Sequence, residues 1–252
     1  MLTSPVDWSA GILLGMVGWV VWSFAARRIM DNPRNDAGYG IGLAVVSLYA
    51  RLVHRLQVLG TENLPANPGP LVVIVNHTSG VDPVLVQAAC PFEIRWLMAR
   101  DMMVRRLDPF WNWLGVIPVE RTGMGVAGSD ASAAREAIRH LHNHGVIGVF
   151  PEGGIERPAR TLRPFAAGIG LLVKRGKARV LPIVIEGTPD SDSAWGSLLR
   201  TSRSTLRILP PIDIPRQGAS PEQITQDLLD LYANVTGWPV IDPAQRRHSS
   251  GT

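Results

Sequence analysis

Leu71-Val72-Val73-Ile74-Val75-Asn76-His77-Thr78-Ser79-Gly80-Val81-Asp82-Pro83 is the stretch that decides the fold of this 252-residue chain. Its first five residues are β-branched apart from one leucine, a run that fits a strand covered on both faces. The polar residues after it mark where the strand emerges into solvent. A histidine and an aspartate stand five positions apart at that point. Histidine is a general base that works near neutral pH, and a carboxylate orients it and stabilises its cationic form. If the strand ends at Asn76 and a short turn follows, Asp82 folds back onto the imidazole of His77. Such a pair has no nucleophile of its own and suits the deprotonation of a substrate hydroxyl. A structural reading stands beside it. Asp82 would cap a helix running from Pro83 to about Cys90, with Pro83 at its first position. The readings are compatible, because an N-cap aspartate can also face a histidine.

Three further blocks have related forms. Val146-Ile147-Gly148-Val149-Phe150 is another apolar run, closed by Pro151-Glu152-Gly153-Gly154. A glycine pair after a strand lets backbone N–H groups approach an anion or carbonyl closely, or simply ends the strand in a turn. Gly115-Val116-Ile117-Pro118-Val119-Glu120-Arg121 reads as a short strand ending in arginine. Taken alone, Arg121 is a solvated rim charge. Val180-Leu181-Pro182-Ile183-Val184-Ile185-Glu186-Gly187 is a further strand closed by Glu-Gly.

In order and spacing the four blocks resemble those of the glycerolipid acyltransferases, of which the 1-acyl-sn-glycerol-3-phosphate acyltransferases are best known. His77-x4-Asp82 resembles the first block and Gly115 to Arg121 the second. Phe150-Pro151-Glu152-Gly153 resembles the third and Leu181-Pro182-Ile183-Val184 the fourth. The resemblance runs over residues 60 to 190. It implies transfer of a fatty acyl group from a thioester, acyl-CoA or acyl-carrier protein, to a glycerolipid hydroxyl, with no further cofactor. His77 would be the general base and Asp82 its orienting partner. Arg121 would contact the acceptor's phosphate, and Glu152, Gly153 and Gly154 would shape the acceptor site. One departure stands out. Where the family's third block continues with Thr-Arg, this chain has Gly154-Ile155. Arg157 lies two residues further on and could substitute. The change turns attention from lysophosphatidic acid toward lysolipids with larger head groups. Ala99-Arg100 stands where many members carry a lysine, so Arg100 keeps a positive charge there.

Composition agrees with a lipid enzyme. Apolar residues make up 46% and charged residues 18%, a low charged share for a soluble domain. Eight tryptophans outnumber three tyrosines and five phenylalanines, and tryptophan favours membrane–water boundaries as well as cores. A formal charge of +4 favours anionic partners such as lipid head groups or CoA phosphates. No Lys/Arg run interleaved with aromatics marks a nucleic-acid surface. The single cysteine, Cys90, forms no internal disulfide, which suits a reducing compartment, and its spacing to histidine offers no metal site.

From Trp8 to Ala26 there is no charged residue, and Arg27-Arg28 follow at once. These 19 residues are just enough to span a bilayer, and the charges fall on the wrong side for a secretory signal. Tyr39 to Ala50 is a second, shorter apolar stretch that reads as an interfacial helix with a basic end at Arg51, His54 and Arg55. The resemblance also allows a re-entrant two-helix hairpin in one leaflet. Either arrangement leaves the protein membrane-associated with its catalytic domain on the cytoplasmic face. Further helices are expected from Ser129-Asp130 to about Asn143, over Ala166 to Lys177, and from a capping box at Ser220-Pro221-Glu222-Gln223 to about Val235. A strand is expected over Thr205 to Leu209. Strands alternating with helices imply an α/β fold with a mostly parallel central sheet flanked by helices, behind an N-terminal helical membrane anchor. The domain division is residues 1–58 for anchoring helices, 59–238 for the acyltransferase domain and 239–252 for a disordered tail. Arg95 to Trp113 reads either as a packed helix with a solvated basic side or as a membrane-facing lip, basic toward phosphates and aromatic toward acyl chains. Two rival classes remain: a hydrolase with Ser79 as nucleophile, and a non-catalytic lipid-binding protein on the same fold.

Overall fold

Every residue of β2 (Leu71–Val75) is buried, as a strand covered on both faces requires. The computed structural model describes residues 8–120, 131–155, 158–191, 194–213 and 219–241. Side chains of β2 alternate between two apolar clusters. Val72 and Ile74 enter one, Leu71, Val73 and Val75 the other. The sheet has seven strands in the order β1 (Gln57–Leu59), β7 (Thr205–Ile208), β6 (Arg179–Glu186), β2, β5 (Val146–Val149), β3 (Arg95–Ala99) and β4 (Ile117–Val119). All neighbours are parallel except β6 and β7, so the fold is α/β with a mostly parallel sheet, as expected. Helices α2 (Ala37–Leu52) and α3 (Asp82–Ala89) cover one face. Helices α5 (Ala131–His142), α6 (Gly168–Gly176) and α7 (Pro221–Thr236) cover the other.

The chain passes from β2 outward to β3 and β4, returns to β5, and then crosses to β6 on the far side of β2. Strand order therefore reverses at β2. Open α/β sheets place their sites outside the carboxyl ends of strands at such a reversal, and His77 stands two residues beyond the end of β2. Side chains hold that end in register. The Tyr232 hydroxyl of α7, fully buried, donates to the Ile74 carbonyl and accepts from the Ile183 amide. One step further, the Asn76 amide takes both backbone groups of Ile185 at 2.8 and 2.9 Å. Two polar side chains thus tie β2 to β6 immediately before the histidine.

α1 (Trp8–Met30) stands apart from this core, and its Gly11–Met30 segment is long and apolar enough to cross a membrane. It turns into α2 through Asn32, whose amide donates to the carbonyls of Ile29 and Asp36. Gly40 allows the two helices to meet, since a Cβ there would sit 1.9 Å from the Ile29 carbonyl oxygen. Arg34 in the turn forms a two-point pair with Glu93 and lies over the rings of Tyr39 and Trp113. Buried His54, just beyond α2, reinforces the link. Tyr49 Oη donates to Leu198 O, so it must accept from His54 Nε2–H, and His54 Nδ1 accepts from Ser202. Burial holds the His54 pKa below its ordinary value and keeps the ring neutral.

Several expectations change in detail. The helix after the first block begins at Asp82 itself, with Val81 as cap residue, because the Asp82 carboxylate turns back toward His77 rather than capping forward. Ser220 does accept from Gln223 N, but the Gln223 side chain reaches forward to Asp227, so only half of a capping box forms. α6 starts at Gly168, two residues later than expected, and the Ala166 amide donates to Pro151 O. Arg95 to Trp113 is not one helix. Trp96 and Met98, two apart, lie on β3, and only Asp108–Leu114 forms helix α4. β1 and β3 have no counterpart among the expected strands. Residues 239–241 pair along Leu162 and belong to the folded chain, while 242–252 and the Ser129-Asp130 cap lie outside the described residues. Tyr232→Phe should lower stability by ~1–3 kcal/mol, because it leaves the Ile183 amide and Ile74 carbonyl without the hydroxyl they share. Chemical unfolding in detergent, followed by circular dichroism, measures it; an unchanged midpoint would show the hydroxyl to be dispensable.

Candidate active site

His77 Nδ1 lies 3.0 Å from Asp82 Oδ2. A carboxylate only accepts, so Nδ1 carries the hydrogen and the Nε2 lone pair is left for a substrate. The same Asp82 oxygen accepts the backbone amides of Thr78 and Ser79, both at 2.8 Å. Asp82 is fully buried at the first position of α3, where the positive end of the helix dipole adds to these donors. Its other oxygen, Oδ1, is buried with no hydrogen bond among the described residues. The His77 side chain keeps 17% of its surface exposed, enough to meet a substrate at its outer edge.

The turn between the pair is fastened from the β6 side. Thr78 Oγ1 and Thr188 Oγ1 are 2.7 Å apart, and Ser79 Oγ donates to Pro189 O. Gly80 packs so closely that a Cβ would fall 2.2 Å from Ala194 O. From the other side, Glu152 Oε1 accepts the His77 backbone amide at 3.3 Å. Ser79 is therefore a buried strut. Its hydroxyl is committed to a carbonyl, which removes it as the nucleophile of a hydrolase.

Two residues given no role beside His77 in the sequence complete the site. The Phe150 ring stacks on the His77 imidazole at 4.1 Å between centroids, and Trp96 stacks on Phe150 at 5.0 Å. The column runs from the turn after β2, across the end of β5, to the second residue of β3. It fixes the plane of the imidazole and gives it an apolar flank. Phe150 did close the third block, but nothing in the linear order sets Trp96 beside it. The pairing of Trp96 with Gly148 does, and a Cβ on Gly148 would meet the Trp96 ring at 2.6 Å.

The family profile described as Acyltransferase matches residues 55–186, just over half of the chain. The chain belongs to the acyltransferase family. The 1-acyl-sn-glycerol-3-phosphate acyltransferase of Borreliella burgdorferi is 33% identical over 141 residues, 53% of this chain and 52% of the relative. That of Saccharomyces cerevisiae is 26% identical over 199 residues, 74% of this chain and 59% of the relative. The chain thus spans between half and three-fifths of these curated relatives. The 1-acyl-sn-glycerophosphate acyltransferase PlsC of Thermotoga maritima shares the fold, with a TM-score of 0.62 over 88% of this chain and 87% of that one, at 20% identity.

Within this chain the residues expected to hold substrate are distributed unevenly. Gly153, at φ +71°, makes the turn after β5, a backbone conformation glycine adopts without strain. Glu152 is buried against the His77 backbone, so it acts on the site through the base. Arg100 pairs with Glu120 at 2.8 Å on the exposed rim of β3 and β4. Arg121 and Arg157 lie outside the described residues. Arg163, which the sequence reading passed over, supplies a cation near the altered third block. Its Nη1 would lie 3.4 Å from a Cβ on Gly154, and its Nη2 reaches Ile155 O. Among the described residues no cluster of His, Cys, Asp and Glu could hold a metal ion.

Asp82→Asn should keep the tautomer of His77 and remove its charge support. Oδ2 accepts Nδ1–H and two backbone amides, so the oxygen of an asparagine takes that place and only the negative charge is lost. ¹⁵N NMR of labelled histidine should report Nδ1–H for His77 in parent and variant alike. An Nε2–H tautomer in the parent would remove Asp82 from its orienting role.

Proposed function

We propose that this protein transfers a fatty acyl group from an acyl thioester, acyl-CoA or acyl-carrier protein, to the hydroxyl of lysophosphatidic acid or another lysoglycerolipid. The observation that carries the reading is a histidine with Nδ1 held by a buried carboxylate and Nε2 left for substrate, inside a family-matched segment. His77 Nε2 takes the acceptor's hydroxyl proton as the oxygen attacks the thioester carbonyl. The tetrahedral adduct then collapses, the C–S bond breaks, and the departing thiolate takes the proton back from His77. Asp82 stabilises the imidazolium between these steps. No residue forms a covalent intermediate, in keeping with the buried, committed Ser79 hydroxyl.

The acceptor's phosphate falls to cations around the carboxyl ends of β4 and β5. Arg121 is the main ligand in this reading, with Arg157 or Arg163 acting where Ile155 leaves the family's third-block arginine missing, and Arg100 at the rim. Both curated relatives are named for 1-acyl-sn-glycerol-3-phosphate, which makes lysophosphatidic acid the first acceptor to test. The protein works on a membrane, held by α1, with its catalytic domain on the cytoplasmic face where thioester donors are made.

His77→Ala should lower transfer by ~10²–10⁴-fold while the protein stays folded and membrane-bound. Detergent-purified protein, acyl-CoA and a panel of lysolipids, with products identified by mass spectrometry, make the assay. Near-normal turnover by the folded variant would end this mechanism. Arg121→Ala should raise the acceptor KM about tenfold or more, from the loss of one charge-assisted phosphate contact, and leave the donor KM nearly unchanged. Ile155→Arg should shift preference toward lysophosphatidic acid. An unchanged acceptor KM in Arg121→Ala would pass the phosphate to the other arginines.

A further inference from the structure

The connection from β6 to β7 carries a short turn, Gly196–Leu199, whose side chains do not behave as an ordinary surface loop. Leu199 is 90% exposed, and Trp195 beside it is 39% exposed. The turn is nonetheless firmly seated. The Leu198 carbonyl accepts from Tyr49 of α2, Trp195 packs on buried Trp111 of α4 at 5.9 Å, and Ser197 bonds back to Ala194. A rigid mount that holds a leucine out into water calls for a partner.

The surroundings say which kind. On α2, Ile41, Val45, Leu48 and Leu52 are all exposed and follow helical spacing, so they form one outward stripe. That stripe borders the side of α2 that carries Gly42 and Tyr49, which meet Trp113 and Leu198 respectively. Phe110 and Trp113 on α4 are exposed next to them. Exposed leucine, tryptophan and phenylalanine thus come from three segments joined by the Tyr49–Leu198, Gly42–Trp113 and Trp111–Trp195 contacts. Arg51, Arg55, Arg105, Arg106 and Arg200 are exposed on these same segments and outnumber the acids Asp101 and Asp108. The surface continues from α1, the one described helix long enough to cross a bilayer. Apolar and aromatic residues ringed by guanidinium groups match the interface of an anionic lipid membrane.

We propose that Trp195 and Leu199 form a wedge that enters the lipid interface beside α2 and α4, and that this wedge sets the mouth through which the lipid acceptor reaches His77. This rests on the acyl transfer to a membrane lipid proposed above. The mechanical link is direct. The segment that carries the wedge accepts the Ser79 hydroxyl at Pro189 and presses on Gly80 at Ala194, so the catalytic turn and the wedge move as one piece. Inserting the wedge places the carboxyl end of β2 against the head-group layer, where an acceptor hydroxyl lies.

The test uses the full-length protein in phosphatidylglycerol-containing vesicles. Burial pushes the Cys90 thiol up to about 12, so a thiol reagent labels Leu199→Cys in preference to it. An environment-sensitive fluorophore at 199 should emit at shorter wavelength and be quenched by nitroxides on shallow acyl carbons. The same probe at Glu222→Cys, on the opposite face of the sheet, should stay water-like. Water-like emission at both positions, with quenching by aqueous iodide alone, overturns the wedge, and leaves that surface to a protein partner. In the transfer assay, Leu199→Asp should raise the KM for a vesicle-borne acceptor about tenfold or more. Turnover of a short-chain, water-soluble acceptor should not change. Equal losses on both acceptors would overturn the proposed gating. If the parent transfers no acyl group at all, the function above fails, and the fluorescence result still decides the wedge.

Discussion

One buried carboxylate organises the catalytic end of this molecule. Asp82 has no access to water, and an ion there is tolerable only when donors surround it. Three converge on a single oxygen: the imidazole Nδ1 and the amides of Thr78 and Ser79. The first selects the tautomer of the base. The other two bend the chain after β2 into the turn that brings His77 back over α3. Turn geometry and chemical competence are therefore the same set of hydrogen bonds. A change that relaxes the turn also misaligns the base, which is why the neighbouring struts at Asn76, Thr78 and Ser79 are buried polar groups with defined partners.

The α1–α2 segment is tied to this turn more closely than a detachable appendage would be. Arg34 links the α1–α2 turn to Glu93, and His54 with Tyr49 links the end of α2 to the β6–β7 connection. His54 does so as a neutral ring with both nitrogens occupied, so the link involves no buried charge. α2, which reads in sequence as an interfacial helix, contributes Ala50 to the core against α3 while leaving a stripe exposed. One helix thus serves the core on one side and leaves an apolar stripe exposed on the other.

How much of this was legible in the sequence depends on the range of the interaction involved. β2, β5 and β6 declare themselves as β-branched runs because they are buried on both faces, and the His77–Asp82 pair is local enough to be read from spacing. β1 is three partly exposed residues and leaves no pattern. β3 is half-buried along its length, and its Arg-Trp-Met composition hides a strand that is defined by its partners β5 and β4. The column of His77, Phe150 and Trp96 is set by strand order, which no local motif encodes. Arg163 escaped for a related reason. Its approach to the third block, where Nη2 reaches Ile155 O, is set by how the chain turns between them rather than by residue type.

The stacked column also bears on how a water-facing histidine can serve a lipid reaction. An imidazole flanked by Phe150 and backed by Trp96 presents its Nε2 beside an apolar wall, where an acyl chain displaces water at little cost. Its other nitrogen remains locked to a carboxylate in the interior. In the proposed reaction the hydroxyl arrives from a polar head-group layer, while the thioester carbonyl must be attacked away from competing water. A base placed at this boundary, polar behind and aromatic beside, meets both requirements without a covalent intermediate. The exposed aromatic surface of α4 and the β6–β7 turn extends the same boundary outward, so that the proposed membrane contact and the proposed reaction share one edge of the sheet.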